Sequence, residues 1–205
     1  MGFFIVLEGL DGAGITTQAR LLAEALRRRG EIVLLTKEPT EREVGQLIRR
    51  ALRREVNITG LALQLLFMAD RAQHLKEEIL PFLARGTVVC DRYLYSTIAF
   101  GSLEADEAYL MRANEPFRRP DLAILLDAEP SACQERLRRA GRGLELFEDE
   151  GRARRVREAF LRLAARYGEM RVVDANPPIQ EVASKVLEAA LELWRRAGSE
   201  AGRRL

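Results

Sequence analysis

The sequence predicts an α/β fold, a mostly parallel sheet with helices on both faces. Three observations predict it. Short apolar runs alternate with longer amphipathic runs along the chain, the pattern of strands joined through helices. One apolar run, Ile32 to Leu35, is continuous, as in a strand covered on both faces. The first apolar run, Phe3 to Leu7, leads directly into Glu8-Gly9-Leu10-Asp11-Gly12-Ala13-Gly14-Ile15-Thr16-Thr17-Gln18 and then an amphipathic run to Arg29, which reads as strand, glycine-rich turn, helix.

Taken in order, the first helix ends at Arg27-Arg28-Arg29-Gly30, basic residues and then glycine. Glu31 to Thr36 is the second strand, and Lys37-Glu38-Pro39-Thr40 the loop at its C-terminal end. In open α/β sheets, ligands bind at such ends. Glu43 to Arg54 reads as a helix with Val44, Leu47, Ile48 and Leu52 on one face. Thr59 to Arg85 reads as one long helix that Pro81 bends or ends late. Thr87 to Arg92 is the third strand, tipped by Asp91 and Arg92. A short helix or turn is expected over Tyr93 to Gly101, and a helix over Glu104 to Asn114, ended by Arg118-Arg119-Pro120. Leu122 to Leu126 is the fourth strand, ended by Asp127, and Pro130 to Arg139 the helix after it. Ala140 to Gly151 is polar and glycine-containing, either a lid or an ordinary surface loop. A helix over Gly151 to Tyr167, a fifth strand over Arg171 to Asp174 and a helix over Pro178 to Arg196 complete the chain, with Gly198 to Leu205 expected to fray.

The glycine-rich turn matches G-x-x-x-x-G-K-[ST], a phosphate-binding loop, at Gly9, Gly14 and Thr16. The lysine position holds Ile15. Backbone N–H groups and the positive end of the following helix survive that change, and Thr16 still offers a hydroxyl to Mg²⁺. The ammonium that would neutralise the outer phosphates is lost, an omission that costs about 3–4 kcal/mol of transition-state stabilisation. The alternative, a strand–turn–helix without a ligand, conflicts with the matching context on both sides. An apolar strand ending in Asp91 supplies the fixed carboxylate that a magnesium site beside such a loop requires.

The chain has 205 residues, enough for one domain (1–205, with a lid near 140–151), and 47% apolar content, enough for a full core. A net charge of +2 gives no push toward nucleic acid or membrane surfaces, and no apolar run approaches the roughly 20 residues of a membrane span. Only three of the 33 basic residues are lysines. Cys90 and Cys133 lie in apolar settings, without the spacing of a disulfide framework or metal site, which fits a cytoplasmic location. The single histidine, His74, reads as a surface or partly buried helix residue.

The motif order resembles the thymidylate kinases among nucleoside-monophosphate kinases, from Phe3 to about Trp194. The resemblance rests on Phe4 to Gly14, Glu38-Pro39, Leu66-Phe67-Met68-Ala69-Asp70-Arg71, Asp91-Arg92-Tyr93 with Ser96, Arg119-Pro120-Asp121-Leu122 and Val173-Asp174-Ala175. It implies a P-loop NTPase-type three-layer sandwich, with a five-stranded parallel sheet in the order 2-3-1-4-5. It also implies transfer of the ATP γ-phosphoryl group to dTMP, with ATP and Mg²⁺ bound, and a homodimer for which the Leu61, Leu65, Met68 stripe is a candidate face. Gly9, Leu10, Asp11, Gly12, Ala13, Gly14, Ile15, Thr16 and Thr17 would then line the ATP phosphates, Arg136 would also bind ATP, and the turn of Asp174 and Ala175 would contact adenine. Thr16 and Asp91 would hold the metal, with Glu38 organising it alongside Asp91.

On the acceptor side, the resemblance implies that Phe67 stacks on thymine, Arg71 donates to a base carbonyl, Asp11 holds the sugar and Arg92 clamps the phosphate. Pro39, Tyr93 and Ser96 would complete the pocket, Tyr93 crowding a 2′-hydroxyl. By themselves Phe67 could equally be core, Arg71 a surface ion pair, and Asp91-Arg92 a structural pair. Three positions depart from the family pattern: Ile15, Lys37 in place of arginine, and Leu146 in the segment Glu145 to Glu148, again in place of arginine. Arg136, Arg138, Arg139 and Arg142 are the cations nearest in sequence that compensate in this reading, with Arg139 and Arg142 as catalytic candidates. The alternatives are a catalytically impaired nucleotide-binding relative, or a kinase for another nucleoside monophosphate.

Overall fold

A computed structural model describes residues 2–141 and 150–201. Five parallel strands form one sheet: β1 (Phe4–Gly9), β2 (Val33–Lys37), β3 (Thr87–Asp91), β4 (Leu122–Asp127) and β5 (Met170–Asp174), ordered β2-β3-β1-β4-β5. β1 lies at the centre with every residue buried, which favours the apolar side chains of Phe4 to Leu7 on both faces. Burying each of Phe4, Ile5, Val6 and Leu7 contributes about 1.5–3 kcal/mol, so a charge at Val6 would break the sheet. The expectation that the Ile32–Leu35 run is covered on both faces fails. β2 is an edge strand, only half covered, and Ile32 is 61% exposed just before it.

α1 (Ile15–Arg28) packs on β1, β2 and β3 and against α9 (Ile179–Ala201), which lies along β4 and β5. α5 (Leu94–Gly101) and α8 (Glu150–Arg166) pack on each other, and α5 also touches β1 and α8 touches β4 and β5. α2 (Glu43–Leu52), α6 (Glu107–Asn114) and α7 (Pro130–Arg139) complete these layers. α9 continues past the expected fray point to Ala201, and α6 begins three residues later than expected, capped by Asp106 accepting from the Tyr109 N–H. Most of the expected lid, residues 142–149 including Arg142 and Glu145 to Glu148, lies outside the described residues.

The predicted long helix is three segments: α3 (Gly60–His74), a π-helical turn (Leu75–Ile79) and α4 (Leu80–Leu83). Pro81 has no N–H to give to a preceding carbonyl, and the wider turn lies just before it.

The strand register brings the C-terminal tips to one edge. Lys37 and Leu7 both pair with Asp91, Gly9 with Leu126, and Asp127 with Asp174. β1 is flanked by β3 and β4, so the order in which successive strands are laid down switches sides about it, which is where an open α/β sheet binds ligands.

Candidate active site

The glycine-rich turn leaves β1 and enters α1 without a side-chain cap. Gly14 is the N-cap, at φ 95°, and the first turn of α1 has no acidic residue. The first N–H groups of any α-helix have no intrahelical partner, and here no capping side chain takes one up. Gly12, at φ +85°, has a second reason to be glycine: a Cβ there would lie 2.4 Å from the carbonyl oxygen of Cys133. Ile15 is 5% exposed, its side chain in the core rather than at the mouth of the turn.

Asp91 and Thr16 meet at the β3 tip, the Thr16 hydroxyl donating to Asp91 Oδ2 at 2.6 Å. Next to it, Arg92 has φ 70°, a left-handed conformation uncommon for a side-chain-bearing residue and recurrent at functional sites. Its Nη1 donates to the Gly9 carbonyl at 2.8 Å and to Ser96 Oγ at 3.0 Å, and its Nη2 to Asp11. The guanidinium is thus oriented by the phosphate loop itself. Phe100 stands beside it, ring centroid 5.3 Å from Arg92 Cζ, a residue not singled out from the sequence.

Glu8 was also not singled out. It is fully buried behind Arg92, where it accepts from the Tyr93 N–H at 3.0 Å and from the Ser96 hydroxyl. Burial pushes its carboxyl up to about 7, with Ser96 and Arg92 opposing the shift.

On α3, Arg71 is 1% exposed rather than a surface ion-pair residue. Nη1 donates to Asn114 Oδ1 at 2.7 Å, and Nη2 to Glu38 Oε2 at 2.7 Å and Thr97 Oγ1 at 3.0 Å. The Tyr93 and Phe117 rings lie 4.8 and 5.6 Å from its Cζ. Glu38, expected beside Asp91 at the metal, is instead engaged at both oxygens, by Arg71 and by His74 Nδ1 at 3.1 Å. His74 corrects the surface expectation outright: it is fully buried, its Nε2 2.9 Å from Thr36 Oγ1. Tyr93 is 1% exposed and its hydroxyl donates to the Arg118 carbonyl, so it backs Arg71 instead of presenting an edge to a sugar. Phe67, one turn before Arg71, is half-buried. Asp70 accepts from the Thr40 N–H and hydroxyl at 2.7 and 2.6 Å, fixing the Glu38-Pro39 loop against α3.

At the other end, Arg136 donates to the carbonyls of Ala175 and Asn176, at 2.9 and 3.3 Å. Asn176 gives its N–H and amide to Asp174 Oδ1, which lowers the Asp174 carboxyl below its ordinary range. Arg139 is exposed and paired with Glu135 at 2.8 Å, and Lys37 is paired with Glu41 at 2.6 Å. Arg157, also missed, makes a bidentate pair with Asp127 at the β4 tip, 2.6 and 2.9 Å, and a third bond to Glu129. The partners of Arg157 are 28 and 30 residues away in the chain, which hid the arrangement from local patterns.

Magnesium favours hard oxygen donors and keeps waters and phosphate oxygens among its ligands. The adjacent Thr16 hydroxyl and Asp91 carboxylate fit that preference. An uncapped helix N-terminus behind a glycine turn, at the reversal point of a parallel sheet, defines a phosphate-loop α/β nucleotide-binding protein.

Comparison with known proteins agrees with this geometry. A family model described as thymidylate kinase matches residues 7–186. A probable thymidylate kinase of Pyrococcus horikoshii is 45% identical over 193 residues, covering 91% of this chain and 94% of its own. A second, of Pyrococcus abyssi, is 46% identical over 192 residues, with 88% and 92% covered. The thymidylate kinase of Pelotomaculum thermopropionicum is 40% identical over 203 residues, with 94% of each covered. The chain belongs to the thymidylate kinase family.

Proposed function

We propose that this protein transfers the γ-phosphoryl group of ATP to dTMP, giving dTDP and ADP. The observation that carries the reading is the Arg92 guanidinium tied to Asp11, Gly9 and Ser96. It couples an acceptor-phosphate clamp to the donor loop. Such coupling presents the two phosphates to each other, and phosphoryl transfer is mainly positioning and charge stabilisation. An oxygen of the dTMP phosphate bonds to the γ-phosphorus as the bond to the β-bridging oxygen breaks. The loop and α1 amides hold the donor phosphates. Thr16 and Asp91 would hold Mg²⁺, which supplies positive charge to the phosphate oxygens. The Arg136–Ala175 contact supports an adenine side there. On the acceptor side, Phe67 offers a half-buried ring, and Arg71 Nε is a buried donor without a partner among the described residues. A base carbonyl would satisfy it.

Compensation for Ile15 by Arg136, Arg138, Arg139 or Arg142 belongs to this reading. A specific observation favours a second one, a nucleotide-binding relative with impaired turnover: the side chain at position 15 is apolar and buried in the core. Among the described residues no helix is long and apolar enough to cross a membrane, and both cysteines are free and buried. These support a reducing, cytoplasmic setting. For a homodimer, Leu61 and Leu65 are 40% and 46% exposed and remain candidates, whereas Met68, at 7%, belongs to the core.

The test is ADP release with ATP, Mg²⁺ and a panel of nucleoside monophosphates. Turnover highest with dTMP is the expected result. ATP and dTMP binding without turnover would select the second reading, and preference for another monophosphate would replace the first.

A further inference from the structure

We propose that His74 is a positioning residue of the acceptor side, which holds Glu38 so that Glu38 sets the guanidinium of Arg71 toward the incoming base. The inference rests on the dTMP kinase reading and deepens it.

The two oxygens of Glu38 are divided between two buried partners, Oε1 facing His74 Nδ1 at 3.1 Å and Oε2 accepting from Arg71 Nη2 at 2.7 Å. A carboxylate only accepts, so Nδ1 of His74 carries a proton there. The other ring nitrogen faces Thr36 Oγ1 at 2.9 Å and Glu78 Oε2 at 3.3 Å. The imidazole is therefore fixed from both sides, and with it the rotation of the Glu38 carboxylate. One continuous chain of contacts runs from the edge strand β2 through His74, Glu38 and Arg71 to Asn114 on α6.

Stability alone does not account for this cluster. A buried ion pair is often no more stable than well-packed apolar side chains of similar volume. What the cluster does provide is a single orientation for Arg71, whose Nε is the one guanidinium nitrogen left without a partner among the described residues. The π-helical turn supports the same reading. It begins directly after His74, so one helical rod buries Arg71 and His74 before the turn, Leu75 and Ile79 within it, and Leu83 after it. Turns of this kind recur at functional sites.

The consequence is selectivity in the pyrimidine. A fixed N–H donor favours a ring carbonyl over an amino group at the same position, which separates dTMP from dCMP. Loosening Glu38 should therefore weaken monophosphate binding and narrow that preference, while leaving the ATP side untouched.

The test uses the full chain and steady-state kinetics, varying dTMP, dCMP and ATP separately. In His74→Leu, the KM for dTMP should rise about tenfold and the dTMP-to-dCMP ratio of kcat/KM should fall about fivefold, the ATP KM staying within about twofold. His74→Gln keeps an N–H donor for Glu38 and should recover most of the loss. Equal rises in both KM values, or none in either variant, would overturn the proposal. Because His74 is the only histidine in the chain, its imidazole NMR resonances can be followed in the wild-type protein without substitution. Saturating dTMP should shift them and saturating ATP should not. A resonance indifferent to dTMP overturns the proposal even if both variants fail to fold. Absence of wild-type turnover would count against the kinase reading alone, since the resonance shift reads binding.

Discussion

The two halves of the proposed site, a donor half that is the loop for ATP and an acceptor half that is the pocket for dTMP, are built by different means. The donor half, Gly9 to Thr16, is backbone: a turn of glycines and the exposed end of α1. The acceptor half is side chains, with Glu38, Arg71 and His74 all buried and mutually bonded. The phosphate-directed parts of the first, its amides and the helix dipole, do not depend on what the residue carries, Ile15 included. The second does depend on its side chains, because each charge there is compensated by a named partner.

The largest expected effect tests the intolerance of the acceptor half. Arg71→Leu leaves the Glu38 carboxylate buried with His74 as its remaining bonded partner, and should cost about 3–5 kcal/mol of stability. In a thermal melt that is a fall of about 10 °C for a chain of this size. The double variant Glu38→Gln with Arg71→Leu should recover much of it. A single variant that melts with the wild type would mean that the acceptor half is as forgiving as the loop.

The next tests the tolerance of the donor half. Ile15→Lys restores a cation at a turn whose backbone is already in place, and kcat should rise about a hundredfold, near 3 kcal/mol. An unchanged kcat would show that another cation, such as one of the α7 arginines, already serves.

Glu8 lies behind both halves and gives a pH signature. Its carboxyl is raised from 4.5 to about 7, so the native state keeps a proton that the unfolded chain releases. The associated stability is therefore fully present below about pH 4.5 and is lost as pH rises through about 7, on the order of 3 kcal/mol over the window. Urea unfolding at pH 5 and pH 7.5 should show this fall in the wild type and a shallower one in Glu8→Gln. Parallel slopes would remove Glu8 as the cause.

The smallest effect concerns the far end of the donor half. Arg136→Ala loses the bonds to the Ala175 and Asn176 carbonyls, and the ATP KM should rise about tenfold while the dTMP KM holds. An equal change in both would place Arg136 in the scaffold rather than on the adenine side.

The two halves also differ in how far their residues could be read before the fold was known. Gly9, Gly14 and Thr16 were legible because a phosphate loop is local: its spacing and its flanking strand and helix lie within one stretch of chain. The five strands were legible for the same reason, within a residue or two at their ends. The roles of Glu38, His74 and Tyr93 were not. Glu38 was expected at a metal, but its partners are 33 and 36 positions away, on the helix that follows α2. Tyr93 was expected to face a sugar, but the Phe4 ring, 5.0 Å away, and the Arg118 carbonyl turn it inward.

What the sequence determined by itself was a strand–loop–helix aimed at phosphate and a parallel sheet to carry it. Both follow from the order and spacing of neighbouring residues. What only the tertiary structure decided was which charges lie inside and which partner each one has. A lone Glu, His or Arg in a helical or loop pattern is ordinarily solvated. It becomes an ordered part of a site only when packing removes the water and leaves another side chain, far along the chain, as its remaining bonding partner.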